Sequence, residues 1–296
     1  MRIIIAGCGY IGKLLATKLL NEGHEVIGLV SSVDSADRCA QQNIPCLQLN
    51  FDQLDTDDLR ELSLSEAALI YLAPPPSQGR QDTRLARFLR TIEHRPPQRM
   101  VLISTTGVYG DCDGEWVNET TPLNPGVDRA LRRADAERQA EAYCASTQKP
   151  LVILRVPGIY GPGKLPLARI RKATPIVAEQ DSPYTNRIHA FDLVSICRQA
   201  LLDTQLAGVY NCSDGHPGTM YEYFTRVADR AGLPQPPVIS LQDAEQTLSA
   251  GILSYMHESR RIDNRKLLRD FKIELEYPNL DAGLAISIEP VTDGSK

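Results

Sequence analysis

A glycine-rich loop between a strand and a helix constrains this chain more than any other feature. The run Arg2-Ile-Ile-Ile-Ala6 is typical of a buried parallel strand, and Gly7-Cys-Gly-Tyr-Ile-Gly12 follows it directly. Residues 13–21 then predict a helix and residues 26–30 a second strand. In such a βαβ unit the first glycine permits a sharp turn, the second lets a pyrophosphate approach the backbone, and the third packs helix against strand. The pattern therefore predicts a dinucleotide site.

The nucleotide end of this site is less defined. Ser31 and Ser32 stand where an NAD-specific protein would place an acid, and Arg38 follows, which favours NADP over NAD. The alternative is that Ser31 caps the next helix. Asp52 is either an acceptor for the adenine or a turn residue. We expect the dinucleotide to contact Gly7, Gly9, Tyr10, Ile11, Gly12, Ser31, Ser32, Asp52, Ala73, Pro74, Ser104 and Pro157.

Composition excludes several other classes of protein. The 296 residues are 42% hydrophobic and 23% charged with a net charge of -5, and no cluster of Lys and Arg alternates with aromatic residues, so nucleic acid is not an expected partner. No apolar run approaches the roughly 20 residues of a membrane span, and the first strand begins at Arg2, so we expect a cytoplasmic protein. The seven cysteines show no CxxC spacing and predict neither disulfides nor a metal site. Most should be small buried hydrophobes, with Cys8 a candidate for thiol reagents.

Strand-like and helix-like runs alternate along the first half of the chain. Further strands are predicted at 45–49, 67–73, 100–104 and 151–155, and further helices at 82–93, 129–145 and 190–202. This alternation predicts an α/β fold, a Rossmann-like doubly wound parallel sheet. We expect a dinucleotide-binding domain over 1–160 with a return segment at about 187–213, a smaller discontinuous substrate lobe over 161–186 and 214–285, and a flexible tail over 286–296.

Ligands of such sheets collect at the carboxyl ends of the strands. Three segments follow predicted strands and are candidate walls of one cleft: 73–76, 104–106 and 156–158. Three prolines at 74–76 would form a stiff wall that lacks hydrogen-bond donors, or would simply rigidify the loop.

Four motifs in a fixed order resemble the extended short-chain dehydrogenase/reductase superfamily, in its NAD-dependent epimerase/dehydratase branch. They follow the glycine loop at 104–110 (STTGVYG), 154–163 (LRVPGIYGPG), 186–192 (NRIHAFD) and 208–215 (GVYNCSDG). The resemblance covers nearly the whole chain, from residue 2 to about residue 284. It implies that Thr105 holds the substrate oxygen and that the protein forms a homodimer through the helix that carries the catalytic pair and its neighbour.

In the family, that catalytic pair is a Tyr and a Lys four residues apart. This chain departs from the pattern because it has neither residue at these positions. Alignment on Ala136-Glu137 places Arg129 and Arg133 at the two positions. Arginine stays charged and cannot act as a general acid or base, but positions i and i+4 share a helix face, and two guanidinium groups can bind a carboxylate, a phosphate or a developing oxyanion. The chain thus resembles the atypical subgroup that lacks the Tyr. The alternative is that the arginines at 129, 132 and 133 are solvent-facing partners of the acids at 135, 137 and 141.

Other residues on the motifs could supply the missing proton donor or bind the substrate. Tyr109, Tyr160 and His189 are the candidates for the proton, and His189 has the pKa suited to neutral pH, although a histidine in an apolar run is more often structural. In the family, the residue at Arg187 reaches a substrate phosphate. Its alternative role is to pair with Asp192.

The sequence therefore predicts an NAD(P)-dependent oxidoreductase or epimerase. Its substrate is expected to be a small polar molecule, anionic or similar to a nucleotide sugar. The alternative, from another class, is a non-catalytic NAD(P)-binding sensor or regulatory protein.

Overall fold

The computed structural model describes residues 1–60 and 62–288, and these divide into two compact units. Unit 1 comprises Met1–Val108, Pro125–Arg155 and Leu193–Tyr210. Unit 2 comprises Tyr109–Asn124, Val156–Asp192 and the described residues from Asn211 onward. The tail predicted over 286–296 is described only as far as residue 288, and its first two residues belong to a helix; the rest lies outside the described residues.

The strands and helices are numbered in chain order. The strands are β1 (Arg2–Ala6), β2 (Glu25–Val30), β3 (Cys46–Gln48), β4 (Ala67–Tyr71), β5 (Arg99–Thr105), β6 (Trp116–Val117), β7 (Leu151–Val156), β8 (Gly158–Tyr160), β9 (Ile176–Val177), β10 (Tyr184–Thr185), β11 (Arg187–His189), β12 (Gly208–Asn211), β13 (Gly218–Thr219), β14 (Val238–Ile239) and β15 (Arg261–Ile262). The helices are α1 (Tyr10–Asn21), α2 (Val33–Ala40), α3 (Thr83–Thr91), α4 (Asp128–Thr147), α5 (Leu167–Arg171), α6 (Ala190–Leu202), α7 (Met220–Arg230), α8 (Leu241–Thr247), α9 (Ala250–Met256), α10 (Arg265–Phe271) and α11 (Leu280–Ser287).

Unit 1 is built on a seven-stranded sheet in the order β12-β7-β5-β4-β1-β2-β3. The pairings of β1 with β2 and β4, of β2 with β3 and of β4 with β5 are parallel. This is the doubly wound Rossmann order, which confirms the predicted fold class. The strand order reverses between β1 and β4, so the crevice where such sheets bind their ligands opens beyond the ends of these two strands.

The strands of this sheet are apolar because helices cover both faces. Ile3, Ile4 and Ile5 of β1 are all fully buried, as is every residue of β4. β-branched side chains suit a strand buried on both faces, which is why a continuous apolar run rather than an alternating one predicted the sheet. The predicted strands and helices of unit 1 recur in the structure with shifts of a few residues at their ends.

Unit 2 consists of short strand pairs and helices. Its four two-stranded sheets pair β10 with β13, β11 with β8, β14 with β9 and β15 with β6. A separate apolar core forms around Tyr160, Ile176 and Phe224, with contributions from α7 and α11. Within the described residues, no helix is both long and apolar enough to cross a membrane.

Candidate dinucleotide and substrate sites

The three glycines of the loop at 7–12 have different surroundings. Gly7 has φ +93°, and a Cβ there would lie 2.4 Å from the backbone nitrogen of Ala73. A Cβ on Gly12 would lie 3.0 Å from the carbonyl oxygen of Gly7 and 3.2 Å from Ile5 Cγ2. A Cβ on Gly9 would meet nothing within 4 Å. The first glycine thus permits the turn, the third packs α1 against β1, and the exposed middle glycine leaves open space in front of the loop.

That open space lies at the N-terminus of α1. Gly9 is the N-cap of the helix and has no side chain that could make a capping hydrogen bond. The first backbone N–H groups of a helix lack partners within the helix and carry its positive dipole end, so they suit an anion such as a pyrophosphate. Tyr10, half-buried, and Ile11, buried, begin the helix.

The residues after β2 hold one another in a fixed arrangement. Ser32, and not Ser31, is the N-cap of α2: its Oγ accepts a hydrogen bond from the backbone nitrogen of Ser35 at 3.2 Å. Arg38 donates to Asp34 at 2.6 Å and to the hydroxyl of Ser35 at 3.3 Å. The basic neighbour that favoured NADP is therefore paired with an acid one turn earlier on the same exposed helix face.

Asp52 lies in a turn, as one of its two predicted roles requires. Its carboxylate binds Arg84 through two hydrogen bonds of 2.6 and 2.7 Å, and this hydrogen bonding lowers the pKa of Asp52. The same guanidinium donates to the carbonyl oxygen of Pro74 at 3.2 Å. Asp52 thus helps to fix the segment that follows β4.

α4 also fixes this segment, here called the post-β4 segment (residues 72–82). Arg133 donates to the carbonyl oxygen of Ala73 at 3.4 and 3.5 Å, and Arg132 donates to that of Gly79 at 2.6 Å. Asp135 accepts a hydrogen bond from the backbone nitrogen of Asp82 at 2.8 Å. Burial lowers the pKa of Arg133, but the guanidinium remains charged at neutral pH.

The solvent-facing alternative for the arginines of α4 is therefore wrong for two of them. Arg132 is buried and Arg133 half-buried, and both are directed at backbone carbonyls. Two of the expected acidic partners are engaged elsewhere: Asp135 binds Arg138 and Gln139, and Glu137 binds Arg155. Arg129 lies one turn before Arg133 on the same helix and is half-buried.

Thr105 and Ser104 end β5, but their hydroxyls differ in setting. The Thr105 hydroxyl is half-buried and accepts a hydrogen bond from the backbone nitrogen of Gly107 at 3.2 Å. The Ser104 hydroxyl is buried and donates to the carboxylate of Glu137, which also accepts two bonds from Arg155 Nε and one from Nη2. Thr105 is therefore the more available of the two to a ligand.

In unit 2, the side chain of Arg187 is half-buried, and no carboxylate among the described residues is bonded to its guanidinium. Its guanidinium stacks at 3.8 Å over the ring of Tyr223 and donates weakly to Thr185 and to the sulfur of Met220. Its Nε has no hydrogen-bond partner in the described part of the chain. Asp192, the alternative partner, instead accepts from the backbone nitrogens of residues 276 and 277 at 2.9 and 3.0 Å, so that pairing is wrong.

Arg187 lines a cavity of about 340 Å³ within unit 2. Asp214 lies on the same wall, is buried, and accepts a hydrogen bond from the backbone nitrogen of His216 at 2.9 Å. Burial raises the pKa of Asp214 to about 7, against the opposing effects of this hydrogen bond and of the nearby positive groups. The exposed aromatic side chain of Trp116 also lines the cavity. An arginine beside a carboxyl group that is half-protonated near neutral pH suits an anionic ligand.

Tyr109, Tyr160 and His189 are all buried in unit 2. The Tyr109 hydroxyl donates to Asn211 Oδ1 at 2.8 Å, and the Tyr160 hydroxyl donates to the carbonyl oxygen of Asn279 at 3.1 Å. His189 Nε2 lies 3.2 Å from Ser287 Oγ. The His189 ring packs against three aromatic rings, and burial lowers its pKa to about 4. This geometry favours the structural alternative for His189.

Sequence reasoning missed three residues that shape this cavity. A Cβ on Gly158 would lie 2.3 Å from Arg187 Nη1, so any side chain there would displace the guanidinium from its observed position. Tyr223 supplies the stacking ring and Asp214 the second polar group. Asp214 and Gly158 lie in two of the family motifs described above, whereas no sequence pattern pointed to Tyr223. Pro157, a predicted dinucleotide contact, is half-buried between β7 and β8.

Unit 1 thus defines a dinucleotide-binding α/β protein of the Rossmann class. The chain belongs to the NAD dependent epimerase/dehydratase family, whose model matches residues 3–213. This confirms the resemblance to extended short-chain dehydrogenases/reductases.

Three known proteins illustrate the similarity. Protein YeeZ of Escherichia coli strain K12 is 26% identical over 287 residues, which cover 94% of this chain and 97% of YeeZ. A structure of a functionally unknown conserved protein from Silicibacter pomeroyi DSS is 28% identical with a TM-score of 0.83, covering 96% of each chain. UDP-glucose 4-epimerase of Thermus thermophilus, solved in complex with NAD, is 20% identical with a TM-score of 0.76, covering 97% of each chain.

Proposed function

We propose that this protein is an NAD(P)-dependent oxidoreductase or epimerase of the atypical subgroup, acting as a homodimer on a small anionic substrate similar to a nucleotide sugar. Family membership supports the reaction class. The structural likeness to a UDP-glucose 4-epimerase that binds NAD supports the substrate class by analogy.

The residues of unit 1 fit a dinucleotide. The open space over Gly9 and the N-terminus of α1 would hold the pyrophosphate, Ser31 and Ser32 would face the adenosine ribose, and Ala73 with Pro74 would line the nicotinamide end. When bound, the nicotinamide supplies a hydride acceptor or donor for a carbinol carbon.

The half-buried guanidinium of Arg187, whose Nε is buried without a hydrogen-bond partner in the described part of the chain, is the observation that carries the substrate assignment. A desolvated cation without a bonded carboxylate is costly to keep in the interior, and an anionic ligand would offset that cost. The Arg187 cavity lies within the size range of small-molecule sites, from about 300 to 1,000 Å³. A phosphate group would bind the guanidinium, and Trp116 would contact an apolar or ring portion of the substrate.

The side chains of unit 1 supply the remaining chemistry. Thr105 would hold the oxygen of the reacting carbinol, and the fixed positive charges of Arg129 and Arg133 would stabilise negative charge that develops on it. Water would carry the proton of that oxygen, because Tyr109 and His189 are buried and the lowered pKa of His189 keeps its ring neutral at pH 7. Without a positioned general acid or base, turnover should be slower by about 10² to 10⁴ than with one.

One observation favours the second candidate function, a non-catalytic NAD(P)-binding sensor. Arg133 occupies the position of the family's catalytic Lys and is bonded to the carbonyl oxygen of Ala73, which is a structural task. Cofactor-loaded protein incubated with UDP-sugars separates the two candidates. Product formation, followed by absorbance of the reduced nicotinamide and by chromatography for internal epimerisation, supports the enzyme.

Substitution of Arg187 tests the substrate assignment. We expect Arg187→Met to weaken binding of UDP-glucose by about 10- to 100-fold, measured by calorimetry, because charge-assisted hydrogen bonds to the diphosphate are lost. Arg169→Met is the matched control, since Arg169 also stacks on an aromatic ring of unit 2, at 4.5 Å from Phe224, but does not line the cavity. Equal affinities in wild type and Arg187→Met, or equal losses in both variants, would refute the assignment.

A further inference from the structure

Three cysteines lie together in unit 1, behind the glycine loop. Cys8 belongs to the loop, Cys39 to α2, and Cys46 begins β3. Cys39 Sγ lies 3.9 Å from the carbonyl oxygen of Cys8, and the Cys39 thiol is close enough to the thiols of Cys8 and Cys46 to raise the pKa of both. Three of the seven cysteines of the chain therefore form one cluster, in which Cys8 comes from a segment far from the other two in the sequence.

Gly28 makes room for this cluster. A Cβ at position 28 would lie 2.9 Å from Cys8 Sγ and 3.7 Å from Cys46 Cβ. Gly28 pairs with Cys46 in the ladder between β2 and β3. Because any larger residue would displace the Cys8 side chain, the missing side chain at position 28 lets Cys8 and Cys46 lie side by side.

The Cys39 thiol connects the exposed side of the cluster to the loop. Cys46 Sγ lies 3.9 Å from the carbonyl oxygen of Ala36, one turn before Cys39, so the Cys46 thiol faces the side of α2 that carries Cys39. Cys39 Sγ lies 3.9 Å from the carbonyl oxygen of Cys8. Cys8 and Cys39 are buried, whereas Cys46 is half-buried and would meet a small oxidant from solvent first.

We propose that Cys39 and Cys46 are a thiol modification site: a peroxide converts them to a disulfide, and the oxidised protein binds NAD(P) less tightly. The Cys46 thiolate attacks one peroxide oxygen and breaks the O–O bond, giving a sulfenic acid and, after proton transfer, water. Cys39 sulfur then attacks Cys46 sulfur and releases a second water. Both sulfur atoms are oxidised and one peroxide is reduced to two waters.

The disulfide acts on the loop through Cys39. A sulfur–sulfur bond is about 2.05 Å long, far shorter than a contact between thiols, so Cys39 must turn toward Cys46 and away from the Cys8 carbonyl. α2 moves toward β3 in the same change. Both the loop and the start of α2 belong to the proposed dinucleotide site, so we expect their displacement to weaken NAD(P) binding. This weaker binding rests on the proposed function, whereas formation of the disulfide does not.

The test first measures NADPH affinity of the reduced protein, and then of protein treated with hydrogen peroxide. Mildly alkaline pH is used because burial raises the pKa of the Cys46 thiol and the thiolate is the reactive form. Trypsin cleaves after Arg38 and Arg60, so both thiols lie in one peptide, 39–60. We expect this peptide to lose the mass of two hydrogens, NADPH affinity to fall by about fivefold or more, and dithiothreitol to reverse both changes.

Two serine variants complete the experiment. Cys46→Ser should keep its NADPH affinity in peroxide, whereas Cys112→Ser, which removes another half-buried thiol, should respond as wild type does. A cross-link from peptide 39–60 to the Cys8 peptide, an unchanged mass of peptide 39–60, or an unchanged affinity after the disulfide forms would each overturn the proposal. If the reduced protein binds no NAD(P), the proposed function fails, and the peptide mass still tests the disulfide.

Discussion

At Gly7, Gly12 and Gly158 the missing side chain admits a neighbouring group. The backbone of Ala73 approaches Gly7, the carbonyl of Gly7 approaches Gly12, and the guanidinium of Arg187 fills the space at Gly158. The GxGxxG pattern predicted the first two positions because turn and packing are local requirements. The contact at Gly158 could not be predicted, since the guanidinium comes from β11, a later strand that pairs with β8.

The pairing of Arg38 with Asp34 leads to a prediction on cofactor choice. Asp34→Ala should raise the affinity for NADP relative to NAD by about fivefold, because it frees a guanidinium for the 2′-phosphate and removes a repelling carboxylate. Calorimetric titration with both dinucleotides measures the ratio. Asp37→Ala, a neighbouring exposed acid on α2, should leave the ratio unchanged. A ratio that moves equally in both variants would count against a specific role for the pair.

Asp214 leads to a prediction on pH. Its pKa of about 7 means that the carboxyl is mostly neutral at pH 6 and ionised at pH 8. The ionised form opposes an anion beside Arg187, so the dissociation constant for UDP-glucose, whose diphosphate keeps its charge over this range, should rise about threefold to tenfold from pH 6 to pH 8. Asp214→Asn should flatten this dependence and His216→Gln should not. A slope that persists in Asp214→Asn would assign it to another group.

The raised pKa of Asp214 also makes the free energy of unfolding depend on pH. The unfolded carboxyl loses its proton near pH 4, whereas the folded one keeps it until about pH 7, so the folded state binds more protons in between. The contribution of Asp214 to the free energy of unfolding is therefore present below pH 4 and lost as the pH rises to about 7.

At the scale of elements, the ion pair between Glu137 and Arg155 joins α4 to β7, and Ser104 adds β5. Both charged side chains are buried, so each depends on the other for its solvation. In the sequence analysis, Glu137 served only to align this chain with the family's motif. Its pairing could not be predicted because the sequence does not specify which strand lies against which turn of α4.

Glu137→Leu should lower the free energy of unfolding by about 3–5 kcal/mol, because it removes the carboxylate that neutralises the buried guanidinium of Arg155. The double variant Glu137→Leu with Arg155→Met should recover most of this loss, since it removes both charges. Denaturant unfolding measures both variants. Asp57→Ala, which breaks the exposed pair with Arg60, is the control and should change stability little. A double variant as unstable as the single one would show that the ion pair is not the cause.

At the scale of the whole molecule, unit 1 could be predicted and unit 2 largely could not. Strands β1, β4 and β5 of the central sheet are largely apolar runs of 5 to 7 residues, whose pattern is visible in the sequence. Strands of unit 2, such as β6 and β15, have only two residues each and pair across more than a hundred positions. Such short strands show no periodicity, so the sequence predicted no strand in residues 109–124, which contain β6 and belong to unit 2.

The proposed NAD(P) site lies in unit 1 and the proposed UDP-glucose site in unit 2, so binding of each ligand can be measured separately. Hydrogen exchange should show protection by NAD(P) at 7–12, 31–38 and 72–74, and protection by UDP-glucose at 185–187 and 214–223, because a ligand raises the free energy of opening where it binds. Gly9→Ala should remove the first protection, since its Cβ occupies the space in front of the loop, and should retain the second. Gly126→Ala is the control: a Cβ at position 126 also meets nothing within 4 Å, but no ligand is expected there. Protection by NAD(P) that survives Gly9→Ala would place the dinucleotide elsewhere, because no other described feature combines an open glycine with a helix N-terminus at the reversal of strand order.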